Sequence, residues 1–169
     1  MSATREWLIQ WLRDAHAMEE QAETMLSGQI SRLDSYPELR ERIEAHLDET
    51  RQQAQRLREC LRRLGEDTST MKDVSGKVTA LGQAFSGLFA SDEVMKGSLA
   101  SYAFEHMEIA SYTIVIAAAE ANGEIEVVGV CQQNLGEEEA MAEWLRDHLA
   151  PTTRMFLDRD EADSAAAKR

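Results

Sequence analysis

The chain has 169 residues, which suffices for one domain that buries about two thirds of the surface its unfolded form exposes. Its 31 acidic and 18 basic residues give a formal net charge of −13, which repels nucleic acid and anionic membranes, so we expect neither as a partner. The two cysteines, Cys60 and Cys131, form no CxxC pattern, which argues against a disulfide framework and a zinc signature and favours a reducing compartment.

Turn residues are scarce, and this predicts an all-α protein. Two prolines and nine glycines leave long segments that only helices can fill. The first predicted helix runs from about Thr4 to Leu26, with apolar residues every three or four positions. Glu19 lies inside this apolar stripe and is therefore expected to face the core.

The second predicted helix spans Ser35–Gly65, with the serine as its cap, a proline in the first turn and the glycine as its C-terminal stop. His46 and Gln53 lie on one flank of its apolar face. Glu49 lies between them, near the border of that face.

A long crossover is predicted next. Residues 66–70 have the composition of a loop, and Met71–Phe89 form a weaker helical segment interrupted by glycines. The third long helix is predicted to begin with a cap at Ser91–Glu93 and to end at Asn122–Gly123.

The third helix carries two carboxylates in an apolar surrounding. From Val94 to Ala119 apolar residues occur on every side of the helical wheel, which predicts a helix buried all round. Glu105 and Glu108 lie within it, one turn apart, and Tyr112 follows on the Glu105 side.

The fourth helix is predicted over about Glu124–Leu149, stopped by Pro151. Glu138 lies at the centre of its apolar stripe. We expect the Met155–Leu157 patch to pack back on the bundle, which gives a single domain over residues 1–157 and a flexible tail over 158–169.

Each long helix thus places a carboxylate on or beside its core face. A buried, unpaired carboxylate costs several kcal/mol, so such groups are paired, protonated or bound to a cation. A border residue such as Glu49, taken alone, can also simply hold its head in solvent. Several converging carboxylates favour iron or manganese, and two ions bridged by glutamates would use this many ligands.

Four segments resemble the YciE/YciF-type stress proteins of the ferritin-like superfamily. They are Glu19-Glu20-Gln21, His46-Leu47-Asp48-Glu49-Thr50, Glu105-His106-Met107-Glu108-Ile109-Ala110-Ser111-Tyr112, and Leu135 with Glu137-Glu138-Glu139. The resemblance implies a ferritin-like four-helix bundle with a dimetal carboxylate site, in which Glu105 and Glu108 look like the doubled glutamate of the rubrerythrin branch.

The sequence departs from the superfamily pattern at two positions. Where that pattern has Glu-x-x-His in helices two and four, this chain has Gln52 and Met141. His46 is the candidate replacement ligand, with a hydrogen-bonded core histidine as the alternative. His106 is predicted to support a ligand from outside, and Tyr112 to hydrogen-bond a ligand carboxylate or act as a nearby redox-active phenol.

These observations predict a cytoplasmic, homodimeric dimetal protein of the bacterial stress response that handles oxygen or peroxide. Iron is the expected metal, with manganese or zinc as alternatives. The predicted ligands are Glu19, His46, Glu49, Glu105, Glu108 and Glu138. A metal-free structural or interaction protein that keeps the bundle is the rival hypothesis, and a catalase-like manganese enzyme is a third.

Overall fold

The computed structural model describes residues 3–66 and 92–167. This part of the chain contains four α-helices and no strand, which confirms the all-α prediction. The helices are α1 (Ala3–Ile30), α2 (Pro37–Arg63), α3 (Glu93–Ala121) and α4 (Ile125–Ala167). The extra crossover helix predicted over Met71–Phe89 and the Ser91 part of the predicted cap lie outside the described residues.

The helices form two antiparallel hairpins, α1–α2 and α3–α4, which pack with α1 against α3 and α2 against α4. At one end of the bundle Arg5 forms a salt bridge with Glu124 and donates to the carbonyl of Leu64. At the other end Arg32 pairs with Glu93. Helices α2 and α3 therefore run parallel and require a long connection, which confirms the ferritin-like bundle topology.

The ends of the helices follow local backbone chemistry. Pro37 occupies the first turn of α2 and Tyr36 is the cap residue, so the predicted Ser35 cap is wrong by one position. Proline has a fixed φ and lacks an N–H, and it is well suited to the first helical position, so the cap is the residue immediately before it. Gly65 and Gly123 follow α2 and α3 with φ of 89° and 71°, as predicted for C-terminal glycines.

Helix α4 continues past Pro151, so the predicted stop at this residue is wrong. The ring of a proline fixes φ near the helical value, and a proline inside a helix costs about 3 kcal/mol, which tertiary contacts can offset. Thr152 is buried, and the Arg159 guanidinium lies 5.7 Å from the centre of the Tyr36 ring. These contacts hold the extended helix against the end of the bundle.

Two predictions of burial hold only in part. In the Met155–Leu157 patch Phe156 is partly buried, but Met155 and Leu157 are about half exposed. Helix α3 is not buried all round either, because Leu99 is 58% and Ile114 51% exposed. The domain boundary at 157 and the flexibility of the tail stay predictions.

The buried apolar residues form two clusters along the bundle. The first contains Leu8, Leu12, Leu57, Phe104 and Cys131, and the second contains Leu26, Ile43, Leu47, Met141 and Leu145. The buried glutamates lie in sequence between members of the two clusters on α1 and α4. Within residues 3–66 and 92–167, no helix combines the length and apolar character needed to cross a bilayer.

Candidate metal centre

A group of fully buried polar side chains lies at mid-bundle. All four helices contribute to it, and its members are each at most 1% exposed. They are Glu19 on α1, His46, Thr50 and Gln53 on α2, Glu105 and Glu108 on α3, and Asn134 and Glu138 on α4. The spacing of three or four residues on α2, α3 and α4 places each pair on one helical face.

Four of these side chains could hold a metal ion. His46, Glu105, Glu108 and Glu138 each offer one ligand atom, and these atoms all lie within 4.8 Å of one another. The Nε2 atom of His46 lies 3.2 Å from Glu105 Oε2 and 3.4 Å from Glu138 Oε2. These four residues are among the ligands predicted from the sequence, and the structure brings them together.

Many atoms of the group lack a hydrogen-bond partner among the described residues. The contacts of His46 with Glu105 and Glu138 are close but do not have hydrogen-bond geometry. The unsatisfied buried atoms are Glu19 Oε2, His46 Nε2, Gln53 Oε1, Glu105 Oε2, Glu108 Oε1 and both carboxylate oxygens of Glu138. Since an orphaned buried polar atom costs about 1–3 kcal/mol, and more when charged, a group with so many of them is suited to binding a cation.

The electrostatics show that the cluster favours protons when no cation is present. Burial raises the pKa of Glu105 to about 8, against the opposing effect of His46. Burial, together with the neighbouring carboxylates, raises the pKa of Glu108 well above its ordinary value. Burial alone would raise the pKa of Glu138, but the close contacts with His46 and Glu105 lower it, so this carboxylate stays ionised at neutral pH.

His46 is expected to carry a positive charge among these carboxyl groups. Burial by itself lowers the pKa of His46, but the close contact with the Glu105 carboxylate, helped by Glu138, raises it well above its ordinary value. A protonated His46 beside an ionised Glu138 is therefore the expected state at neutral pH. A metal ion would displace the proton from Nε2, because a ligating imidazole nitrogen must be deprotonated.

Glu49 lies on the other side of the His46 ring. Its Oε2 is 2.8 Å from His46 Nδ1 and 3.2 Å from Arg42 Nη1, and its side chain is 34% exposed. This contact orients the ring so that Nε2 points at Glu105 and Glu138. A carboxylate that holds the outer nitrogen of a metal-binding histidine is a common feature of metal sites.

Glu19 joins the centre through a hydrogen-bonded network. The Tyr112 hydroxyl donates to Glu19 Oε1, and Asn134 Nδ2 donates to the Tyr112 oxygen over 2.9 Å. Burial, reinforced by Glu138, raises the pKa of Glu19 well above its ordinary value, against the lowering effect of the Tyr112 hydrogen bond. The predicted contact of Tyr112 with a candidate ligand carboxylate is present.

The sequence register of α2 is shifted by one residue relative to the Glu-x-x-His pattern. Gln52 is exposed, whereas Thr50 and Gln53 are buried, three residues apart, on the inward face. Asn134 was missed altogether. Gln53 was placed beside the apolar face by its spacing from His46, and the same signal could have found the other two, because Thr50 lies four residues after His46 and Asn134 lies one turn before Glu138.

Two further histidines, His16 and His106, lie outside the cluster. His106 is exposed, and its ring meets that of Tyr102 edge-on at 4.6 Å between centroids. His16 is buried, but its ring nitrogens lie near Glu20 and Arg58, at 3.9 Å and 3.5 Å. Neither touches a candidate ligand in the described part of the chain.

All residues of this centre lie in the part of the chain that matches a known protein family. The family described as "Domain of unknown function (DUF892)" matches residues 3–158, which include all the buried glutamates. The chain belongs to this family.

Solved structures share the fold of this DUF892 protein. A Xanthomonas campestris protein is 40% identical, with a TM-score of 0.80 over 95% of this chain and 99% of that one. YcfI of Rhodopseudomonas palustris, described as a candidate structural protein, is 25% identical, with a TM-score of 0.69 over 86% and 94%. The Escherichia coli stress protein YciF is 23% identical, with a TM-score of 0.70 over 91% and 99%. The predicted resemblance to YciF-type proteins is confirmed.

Proposed function

We propose that this DUF892 protein binds two divalent metal ions at mid-bundle and uses them to handle oxygen or peroxide under stress. The observation that carries the proposal is the buried group of four carboxylates and a histidine, each of which has at least one ligand-type atom without a hydrogen-bond partner within the described residues. Iron is the expected metal, with manganese and zinc as alternatives, because carboxylate and imidazole donors suit all three ions.

The donor set fits a first ion directly. His46, Glu105, Glu108 and Glu138 supply one nitrogen and three carboxylate ligands within 4.8 Å of one another. Three carboxylates balance a divalent charge and leave one negative charge in excess. That excess suits a second cation shared with a further ligand.

Glu19 supplies the further ligand for the second ion. Its Oε2 is buried and unsatisfied, and its charge interacts with Glu138 and Glu105. Both oxygens of Glu138 lack hydrogen-bond partners, so this carboxylate would help to hold both ions. Glu49, first predicted as a ligand, is assigned here to support His46, because it contacts the outer ring nitrogen.

Bound iron or manganese would supply one-electron redox chemistry with oxygen or peroxide. The residues of this chain would control the surroundings of the bound ions. The two apolar clusters above and below the centre limit the access of water, and Tyr112 and Asn134 hold Glu19 in place. Glu105 and Glu108 hold protons when no cation is present and release them when one binds.

The stress role rests on similarity of fold and family. The YciF neighbour is described as a stress protein, and we extend that role to this chain as part of the proposal. Consumption of hydrogen peroxide by the metal-loaded protein, compared with the metal-free protein, tests the oxygen or peroxide part separately from metal binding. Rapid catalytic turnover would favour the catalase-like alternative.

Metal content is the deciding measurement. We expect about two ions per chain after reconstitution with Fe²⁺ or Mn²⁺ and dialysis. Glu138→Gln should remove at least one ion, whereas the neighbouring exposed Glu139→Gln, which changes the same charge, should remove none. Fewer than one ion per wild-type chain, with no effect of Glu138→Gln, would refute the proposal.

A metal-free structural or interaction protein is the second candidate. The raised pKa values of Glu105 and Glu108 favour it, since protons can neutralise the core without a metal. The description of the Rhodopseudomonas palustris neighbour agrees with it. Thermal melting separates the two functions: a melting temperature that rises with metal concentration supports the metal centre, and a flat response supports the structural role.

We also propose that the protein forms a homodimer through α3. Leu99 and Ile114 are more than half exposed on this helix, and exposed apolar residues on one helix face are suited to an interface. Sedimentation analysis of wild type and Ile114→Lys tests this. A dimer that becomes a monomer on substitution supports it, and a monomeric wild type contradicts it.

A further inference from the structure

A chain of hydrogen bonds connects the buried Glu19 with an arginine at the bundle surface. Arg56 Nη1 donates to Asn134 Oδ1, Asn134 Nδ2 donates to the Tyr112 oxygen, and Tyr112 donates to Glu19 Oε1. The side chain of Arg56 is 18% exposed, whereas the other three residues are buried. The four side chains come from all four helices.

The chemistry of each group fixes the direction of this chain. Arginine can only donate hydrogen bonds, so Arg56 determines which atom of the Asn134 amide faces it. The amide oxygen faces Arg56, and the amide nitrogen therefore faces Tyr112. Since Tyr112 accepts from that nitrogen, its own proton is directed to Glu19.

As a result, the two oxygens of Glu19 have different surroundings. Oε1 accepts the hydrogen bond from Tyr112, and Oε2 is left without a partner in the described structure. A carboxylate held in this way offers one oxygen, in a fixed orientation, to a cation. If the Asn134 amide turned over, its oxygen would face Tyr112 and compete with Glu19 for the phenolic proton.

Glu137 holds the arginine in its position. It accepts from both terminal nitrogens of Arg56 at 3.0 Å, and a bidentate pair of this kind is geometrically restrictive. Glu137 also accepts from Gln53 Nε2 at 3.0 Å. The Gln53 amide oxygen is thereby turned away from the ion pair, and it is buried and unsatisfied.

We propose that Arg56 is a positioning residue that acts through Asn134 and Tyr112 to present Glu19 to the second cation. The inference rests on the proposed two-metal function and adds to it a residue that contacts no ligand. Loss of Arg56 should weaken the second ion while leaving the first, held by His46, Glu105, Glu108 and Glu138, in place.

The experiment is a titration of the metal-free full-length protein with Mn²⁺. Calorimetry measures the binding of each ion, and electron paramagnetic resonance shows whether the bound ions are spin-coupled. Wild type should bind two ions and show the spectrum of a spin-coupled pair. Arg56→Gln should bind the first ion as wild type does and the second more weakly, by up to the roughly 10- to 100-fold usual for losing a direct outer partner of a ligand, which here is Tyr112. Its spectrum should be that of isolated Mn²⁺.

Arg51→Gln is the matched control, because it removes an arginine from the same helix whose partners are Glu23 and Asp48 at the surface. It should keep both ions. Arg56→Lys retains a donor for Asn134 and should restore part of the affinity for the second ion.

Tyr112→Phe removes the last hydroxyl of the chain and keeps the ring in the core. It should cause the same selective loss as Arg56→Gln and tests the inference even if the latter variant does not fold. Because the two residues act in series, the double variant should lose no more than either single one. An additive loss would contradict action in series.

Two results overturn the inference in different ways. Tight binding of two ions by Arg56→Gln, with the spectrum of a coupled pair, overturns the role of Arg56 and leaves the two-metal function intact. A wild-type protein that binds one ion or none overturns the two-metal function and this inference together.

Discussion

The metal-free protein should become less stable as the pH rises, and Glu105→Gln should weaken this trend. The pKa of Glu105 is about 8 in the folded protein against an ordinary value of 4.5. The folded state therefore favours the protonated carboxyl. Its contribution to stability is fully present below about pH 4.5 and is lost as the pH rises through about 8.

The magnitude follows from the difference between the two pKa values. Relative to acid pH, this one group lowers the free energy of unfolding by about 3 kcal/mol at pH 7 and by about 4 kcal/mol at pH 8. The reason is that the unfolded chain loses the proton near pH 4.5, whereas the folded protein keeps it up to about pH 8. Glu19, Glu108 and His46 shift in the same direction, because each has a raised pKa. Glu138, with its lowered pKa, gives no opposing slope above pH 5 because it is already ionised.

Glutamine mimics the protonated carboxyl without titrating. In the metal-free state, Glu105→Gln should therefore be more stable than wild type at pH 8, by about 4 kcal/mol or roughly 8–16 °C in melting temperature. With Mn²⁺ or Fe²⁺ present the order should reverse, because wild type gains binding energy and the variant lacks a ligand.

Thermal melting between pH 5 and pH 8, with chelator and with added Mn²⁺, measures both effects. The exposed Glu139→Gln is the control and should follow wild type at every pH. A metal-free wild type with the same melting temperature at pH 5 and pH 8 would refute the reasoning. A Glu105→Gln variant less stable than wild type at pH 8 would do so as well.

Four further variants test the support of the centre and the fold. Glu49→Gln should weaken metal binding about 10- to 100-fold in a competition titration, because the charged partner of His46 is lost while the helix remains. Leu57→Ala should lower the free energy of unfolding in urea by about 2–5 kcal/mol, since this side chain is fully buried. Gly123→Ala should destabilise by about 1 kcal/mol at its positive φ, whereas Gly136→Ala, in a helix with open space around it, should stabilise by a similar amount.

The helices were largely predictable because their signals are local. Periodicity identified α1 to α4, and Gly65 and Gly123 marked the ends of α2 and α3 correctly. Pro151 misled the prediction of α4, because the contacts that offset a proline inside a helix come from Tyr36 and other residues distant in sequence. Tertiary contacts of this kind leave no trace in the local pattern.

The acidic members of the centre were predictable for a similar reason. A glutamate in the middle of an apolar stripe conflicts with burial, so Glu19, Glu105, Glu108 and Glu138 stood out. Asn134 and Arg56 did not, since an amide near a stripe and an arginine near its border are ordinary in any helix. Their relation to Glu19 depends on how α1, α2 and α4 meet in three dimensions.

The position of the single inward histidine explains why this centre needs support from outside. In the superfamily pattern implied by the resemblance, a histidine follows a glutamate by three residues on helices two and four. Here the buried positions are held by Gln53 and by Met141, which offers no nitrogen, and His46 supplies its ring from two turns away on α2. One nitrogen ligand serves one ion, so we expect the second ion to depend on oxygen donors alone. An oxygen-only site of low charge binds weakly unless its carboxylate is held in place, which is the role we assign to Arg56, Asn134 and Tyr112.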